Sequence, residues 1–296
     1  MSTRSPEEAY RALQRLARAD GRTTQQTFEL YVHERFLARL ADSRHAERLV
    51  LKGGMLLAAL DARRATRDAD MLARGIDNDV ENLRDVVTEI AAIELTDGVV
   101  FDVERISLVT IREDAKYEGI RVVVPASLGG AVLKLRFDLS FGDPVDPQHI
   151  DYPTLLDDAV ISLLGYPLEN VIAEKAETMM ALGDANTRDH DYGDVYLLSG
   201  IYALDRDPVR NALLATAKHR GHEVRPLGPL LVTLRETRQQ PWAAYRARVG
   251  LPGLPERYAD VVDAVVRFLD GLQANDGSYW DPHQRRWDSG PHGGRR

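Results

Sequence analysis

Apolar side chains recur at three- and four-residue spacing between Pro6 and Ala41: Tyr10, Leu13 and Leu16, then Phe28, Leu30, Phe36, Leu37 and Leu40. That period gathers them on one helical face. The break at Gly21-Arg22-Thr23-Thr24 divides the stretch into two helices, with Thr23 or Thr24 as the cap of the second. Leu49 to Leu51 is a short apolar piece ahead of Gly53-Gly54. Met55 to Leu60 predicts a helix, Thr66 to Leu72 a strand, and Asn78 to Ile93 a surface helix with Val80, Leu83, Val86, Val87 and Ile90 on one side.

The pattern then changes period. Val99 to Ile111 and Ile120 to Val124 are rich in Val and Ile and predict strands. After the Gly129-Gly130 turn, Ala131 to Phe141 alternates along nearly its whole length. Leu133, Leu135, Phe137, Leu139 and Phe141 share one face; Lys134, Arg136, Asp138 and Ser140 share the other. That polar face reads as chemistry or as an ordinary solvated surface with equal weight.

Beyond Pro167 the pattern is helical throughout: Asn170 to Leu182, Tyr192 to Leu204, Pro208 to His219, Leu227 to Val249 and Leu254 to Ala274. From Asn275 onward Gly, Asp, Pro, His and Arg dominate, and residues 275–296 read as a flexible tail in which Trp280 and Trp287 are free to dock. The expected organisation is a mixed α and β front with a mostly β centre over residues 1–165, a helical C-terminal domain over 166–274, and the tail.

Composition narrows the function classes. Hydrophobic residues make up 44% of the chain and charged residues 28%, which is ordinary for a globular protein and permits a real core in 296 residues. There is no cysteine, so disulfides and thiolate metal sites are excluded. The N-terminal stretch is charged and lacks an apolar centre, and no apolar run is long enough for a bilayer; a cytoplasmic protein with no membrane partner is expected. A net charge of −8 argues against a general nucleic-acid coat but leaves room for a local basic patch.

Candidate chemistry begins at Lys52-Gly53-Gly54 and Thr66-Arg67-Asp68-Ala69-Asp70. On a strand, Asp68 and Asp70 point to one face, with Thr66 beside them. Crowded carboxylates ask for a cation, and Mg²⁺ takes oxygen ligands from carboxylates and substrate phosphates. Asp138 offers a third acid if its strand lies alongside. Such a set suits phosphoryl or nucleotidyl transfer, which depends on positioning and charge neutralisation. Taken alone, Asp-x-Asp is more often a solvated strand end, and Asp138 pairs as readily with Lys134 or Arg136. A second cluster is Glu174-Lys175, then Arg188-Asp189-His190-Asp191 and Asp194. Lys175 offers an ammonium for a triphosphate, and Asp191 and Asp194 share a helical face. Singly, each is more often a salt-bridge partner or a cap.

Lys52-Gly53-Gly54, Thr66 to Asp70, Asp138, Glu174-Lys175 and Arg188-x-His190-Asp191-x-x-Asp194, in this order, resemble the AbiEii/AbiGii toxin family, the MenT toxins included. The resemblance spans about Leu49 to Leu198. It implies an α+β fold: a polymerase-β-like nucleotidyltransferase core, a mixed sheet flanked by helices, followed by an all-helical C-terminal domain. It implies a type IV toxin that moves NMP from an NTP to the 3′ acceptor end of tRNA, with Mg²⁺ as cofactor and a cognate antitoxin as partner. Carried over by position, Asp68, Asp70 and Asp138 are the metal ligands, and these three with Lys175 and Asp191 are the catalytic set. Lys52, Gly53, Gly54, Thr66, Lys134, Arg136, Lys175 and Asp194 form the nucleotide site. Two positions depart from the pattern: Gly54 stands where the serine of a Gly-Ser pair is usual, and His190 where a lysine is usual. Added negative charge at Thr66 is expected to repel the triphosphate.

Two other readings share these residues. One is a nucleotidyltransferase that modifies a protein hydroxyl. The other is a nucleotide-binding module without turnover. Metal-dependent turnover separates the second from the enzymes, and the identity of the labelled product separates the enzymes from each other.

Overall fold

A computed structural model describes residues 3–63, 69–76, 79–114, 117–251, 253–274 and 277–290, with side chains at 112–118 left aside. The chain divides into two compact units, Met1–Tyr166 and Pro167–Arg296. The sequence places this boundary one residue earlier.

The first unit opens with helices α1 (Pro6–Ala19) and α2 (Thr24–Ala41), each begun by a capping box: Ser5 with Glu8, and Thr23 with Gln26. Strand β1 (Leu49–Lys52) runs directly into α3 (Gly53–Leu56), and a 3₁₀ turn completes the segment to Leu60. Then follow β2 (Ala69–Ala73), α4 (Val80–Ala91), β3 (Val99–Phe101), β4 (Ser107–Asp114), β5 (Tyr117–Leu128), β6 (Ala131–Phe141), β7 (Gln148–Pro153) and β8 (Val160–Gly165). The strands form one mixed sheet in the order β3-β5-β6-β2-β1-β8-β7, with β4 also on β5. β2 runs parallel to β6, and β1 parallel to β8; the remaining pairs are antiparallel.

The alternation along β6 is resolved by α2. Leu133, Leu135, Phe137 and Leu139 are buried. The Phe36 ring of α2 lies 5.1 Å from that of Phe137. Each such burial contributes about 2 kcal/mol. α2 is buried on every side from Leu30 to Leu40, polar residues included, rather than along a single stripe. Its Arg39 holds Asp97 at 2.6 Å and donates to the carbonyls of Ile93 and Val99, tying the helix to the segment before β3. The opposite face of the sheet is thereby left to Lys134, Arg136, Asp138 and Ser140.

Several expected elements differ in extent. Val99 to Ile111 is interrupted by a 3₁₀ turn at Val103–Arg105 and gives two strands. Ile120 to Val124 is the centre of a longer strand. β7 and β8 carry no strong alternation and are not expected from the pattern.

The second unit contains α5 (Leu168–Leu182), α6 (Asp189–Ile201), a short β9 (Leu204–Asp205), α7 (Arg206–Arg220), α8 (Leu234–Thr237), α9 (Gln239–Val249) and α10 (Tyr258–Gly271). The single helix expected from Leu227 to Val249 is broken, because Asp184 captures the backbone N–H groups of Thr233 and Leu234 and starts a new turn there. The expectation of a flexible tail is corrected over residues 277–290. β10 (Tyr279–Asp281) and β11 (Arg286–Asp288) form a hairpin, and β10 pairs with β9. Trp280 is fully buried and donates to the Ser199 carbonyl at 2.6 Å. Trp287 stacks on Phe268 at 5.5 Å. Two tryptophans supply enough apolar area to fold an otherwise polar segment onto the unit.

Candidate active site

The sheet register aligns four charged residues in one row. Lys52 of β1 is the direct partner of Asp70 on β2, Asp70 of Asp138 on β6, and Asp138 of Arg121 on β5. Neighbouring strands lie about 4.8 Å apart and direct partners point to the same face. The row therefore reads cation, acid, acid, cation. Two adjacent carboxylates repel, and the flanking cations offset that repulsion.

The turn out of β1 brings the backbone close to one of the acids. Gly53 has φ +63°, and a Cβ placed on it would lie 2.0 Å from Asp70 Oδ2. Only glycine meets both conditions. Gly54, which is buried, continues α3.

Asp143 belongs to this face and is absent from the sequence-based set. Gly142, at φ +76°, turns the chain beyond β6 so that Asp143 folds back over the face. Its Oδ2 accepts from Lys52 Nζ at 2.8 Å, Ser140 Oγ at 2.7 Å and Tyr166 Oη at 2.6 Å. Lys52 also sits 5.4 Å from the centre of the Tyr166 ring. Burial alone would raise the Asp143 carboxyl. Lys52, with the hydroxyls of Tyr166 and Ser140, outweighs it and holds the group below its ordinary value of 3.8. The signal in the sequence is Gly142-Asp143-Pro144, an acid set in a turn where the alternating strand stops. A cleft of about 280 Å³ opens beside it, between Leu72, Ile76, Phe141 and Asp143.

Asp138 is not paired with its strand neighbours Lys134 or Arg136. Arg121 grips it across the sheet, Nε to Oδ1 at 2.8 Å and Nη2 to Oδ2 at 2.7 Å. Lys134 is exposed and Arg136 half-buried, both on the same face as Asp138. The Arg136 carbonyl accepts from His33 Nε2 at 2.8 Å, which fixes α2 under this part of β6. Thr66 and Asp68 lie outside the described residues.

In the second unit, Lys175 of α5 meets both acids of α6. Its Nζ is 2.8 Å from Asp191 Oδ1 and 2.8 Å from Asp194 Oδ2. Three residues apart, the two acids share a face of α6. The ammonium and Asp194 are almost wholly buried. Asp194 therefore faces Lys175 within the unit. His190 Nε2 is 3.5 Å from Asp191 and more exposed. Glu174 faces Arg220, 3.5 Å away.

The donor chemistry fits a hard divalent cation. Asp70 and Asp138 present oxygen ligands side by side, the kind Mg²⁺ prefers. Among the described residues no group of three or more acids or histidines converges on one point. Nor, among them, is any helix long and apolar enough to cross a membrane.

The structure is similar to MenT4, a nucleotidyltransferase toxin from Mycobacterium tuberculosis H37Rv, with a TM-score of 0.60, 16% identity and 92% of each chain covered. It also aligns with a protein of H. pylori described as a nucleotidyltransferase (TM-score 0.46, 14% identity, 85% of this chain and 97% of that one). JHP933 from Helicobacter pylori aligns with a TM-score of 0.44, 16% identity, and 82% and 93% coverage. The last two likenesses are too loose to carry an argument. No curated protein matches the chain in sequence. A mixed sheet flanked by helices in this arrangement is the nucleotidyltransferase fold, and the protein is a nucleotidyltransferase. Residues 35–267 match the model of the nucleotidyl transferase AbiEii toxin of type IV toxin–antitoxin systems, and the chain belongs to that family.

Proposed function

We propose that the protein transfers an NMP from an NTP to the 3′ acceptor hydroxyl of tRNA, and so blocks translation in the cytoplasm until a cognate antitoxin restrains it. The observation that carries this reading is the row Lys52–Asp70–Asp138–Arg121, two acids side by side between two cations. Mg²⁺ bound at the acids would neutralise charge on the phosphates of the NTP. Asp70 and Asp138 would hold it, with Asp68 proposed as the third ligand.

The remaining steps belong to this chain's own side chains. Gly53 and Gly54 let the backbone approach the phosphates, and Lys52, braced by Asp143, supplies a fixed positive charge. Lys134 and Arg136 offer cations to the triphosphate or the RNA backbone. In the second unit, Lys175 is the proposed triphosphate contact, and Asp191 and Asp194 hold its ammonium. The acceptor oxygen bonds to the α-phosphorus, its proton passes to the neighbouring carboxylates, and the bond to the β-phosphate breaks to release pyrophosphate.

The test is direct. Purified protein is incubated with Mg²⁺, total tRNA and each α-labelled NTP in turn, beside an Asp70→Ala variant. Label on tRNA with the wild type alone supports the proposal and names the nucleotide. Label on protein moves the assignment to a protein hydroxyl. Nucleotide binding without transfer to either reduces the site to a binding module.

A further inference from the structure

Arg121 satisfies both oxygens of Asp138, the fork-to-fork geometry that a guanidinium makes with a carboxylate or a phosphate. The two partners differ in burial. The Asp138 side chain is 13% exposed and that of Arg121 is 43% exposed. The acid is set into the face, whereas the guanidinium reaches it from the solvent side.

Asp138 needs a cation because Asp70 stands beside it on the next strand. Lys52, on the far side of Asp70, is engaged with Asp143. Arg121 fills that need with a single charge, partly screened by water. The guanidinium is the solvent-facing half of the pair, so it is the partner placed to leave. A divalent cation entering between Asp70 and Asp138 offers twice the charge to both acids at once. The paired backbones of β5 and β6 need not move, since a rotamer change of Arg121 suffices.

We propose that Arg121 is a positioning residue that holds Asp138 while the metal is absent and releases it when the divalent cation arrives. The freed guanidinium then takes a phosphate of the incoming nucleotide, using the same donor fork. This rests on the metal-dependent reading given above. Metal and nucleotide therefore load cooperatively: the nucleotide stabilises the arginine rotamer that uncovers the metal ligand.

The experiment measures Mn²⁺ binding by calorimetry to the full chain, with and without a non-hydrolysable NTP analogue, for wild type, Arg121→Gln, Arg121→Lys and Asp138→Asn. Circular dichroism and thermal melting verify that each variant is folded. Without nucleotide, Arg121→Gln should bind Mn²⁺ about fivefold more tightly or better, the size of an ordinary coupling between sites. The same variant should bind the nucleotide more weakly and raise KM more than it lowers kcat, and Arg121→Lys should restore part of the nucleotide affinity. Asp138→Asn should weaken Mn²⁺ binding. Unchanged or weaker Mn²⁺ binding by folded Arg121→Gln would overturn the proposal, as would unchanged binding by Asp138→Asn. Absence of Mn²⁺ binding in the wild type, with and without nucleotide, would overturn the metal-dependent reading itself and the arginine's role with it.

Discussion

The Asp70 carboxylate occupies the space that a side chain at Gly53 would need, with Oδ2 2.0 Å from the Cβ position. Lys-Gly-Gly and the downstream acid are thus one structural unit. Gly53→Ala should be damaged twice. The left-handed φ costs an alanine about 1–2 kcal/mol, and displacing the carboxylate adds about 1–3 kcal/mol. Gly21 provides the comparison: its φ is +66° but nothing lies within 4 Å of its Cβ position. Urea unfolding should show Gly53→Ala losing clearly more stability than Gly21→Ala, and only the former losing transferase activity. Equal losses would mean that the carboxylate gives way freely.

Asp143 is expected to shape the acid limb of stability. Its carboxyl titrates lower in the folded protein than the ordinary 3.8, despite the opposing effect of burial. Its contribution is therefore present above about pH 4 and is lost as pH falls through the lowered folded value. Asp143→Asn should flatten that limb in a pH series of urea midpoints. At neutral pH, Asp143→Ala leaves the Lys52 ammonium buried without this partner and should cost about 3 kcal/mol. An unchanged acid limb in the Asn variant would show that Asp143 is not the group responsible.

Lys175 holds two acids at 2.8 Å inside the second unit. Removing the cation alone, as in Lys175→Met, leaves Asp191 and Asp194 crowded and buried and should cost about 3 kcal/mol. Adding Asp191→Asn and Asp194→Asn to that variant should recover much of the loss without recovering activity. Thermal melts read the first effect and the labelling assay the second. Full stability in Lys175→Met would remove the structural role of the triad.

Trp280 anchors the C-terminal hairpin through full burial and a hydrogen bond to Ser199. Trp280→Ala should cost about 3–5 kcal/mol. It should also expose residues between Tyr279 and Asp288 to limited proteolysis, while the wild type resists there. Equal cleavage of the two proteins would return this segment to the status of a flexible tail.

Local pattern and long-range arrangement were legible to different degrees. The period-two alternation of β6 is visible in sequence because its two faces meet different surroundings, α2 on one side and the charged row on the other. The caps at Ser5 and Thr23 are equally local. The juxtaposition of Asp70 and Asp138 is not local: it requires β2 to insert between β1 and β6, an arrangement that the alternation of β6 permits but does not fix. Asp143 escaped because its role depends on the reversal at Gly142 and on Lys52, far away in the chain. β8 escaped because a short apolar run carries no period of its own. The hairpin escaped because polar composition outweighed two tryptophans whose partners, Phe268 and Ser199, lie on earlier helices. Arg121 was invisible for the same reason as Asp143, since only the β5–β6 register pairs it with Asp138.

The central claim is that a 3′ hydroxyl of RNA accepts the nucleotide, and oxidising that end with periodate before the assay tests it most directly. Oxidation removes the acceptor and leaves the rest of the tRNA intact. The account predicts Mg²⁺-dependent labelling of untreated tRNA by the wild type and none of the oxidised tRNA. Labelling of the oxidised tRNA, or of protein in its place, would contradict it.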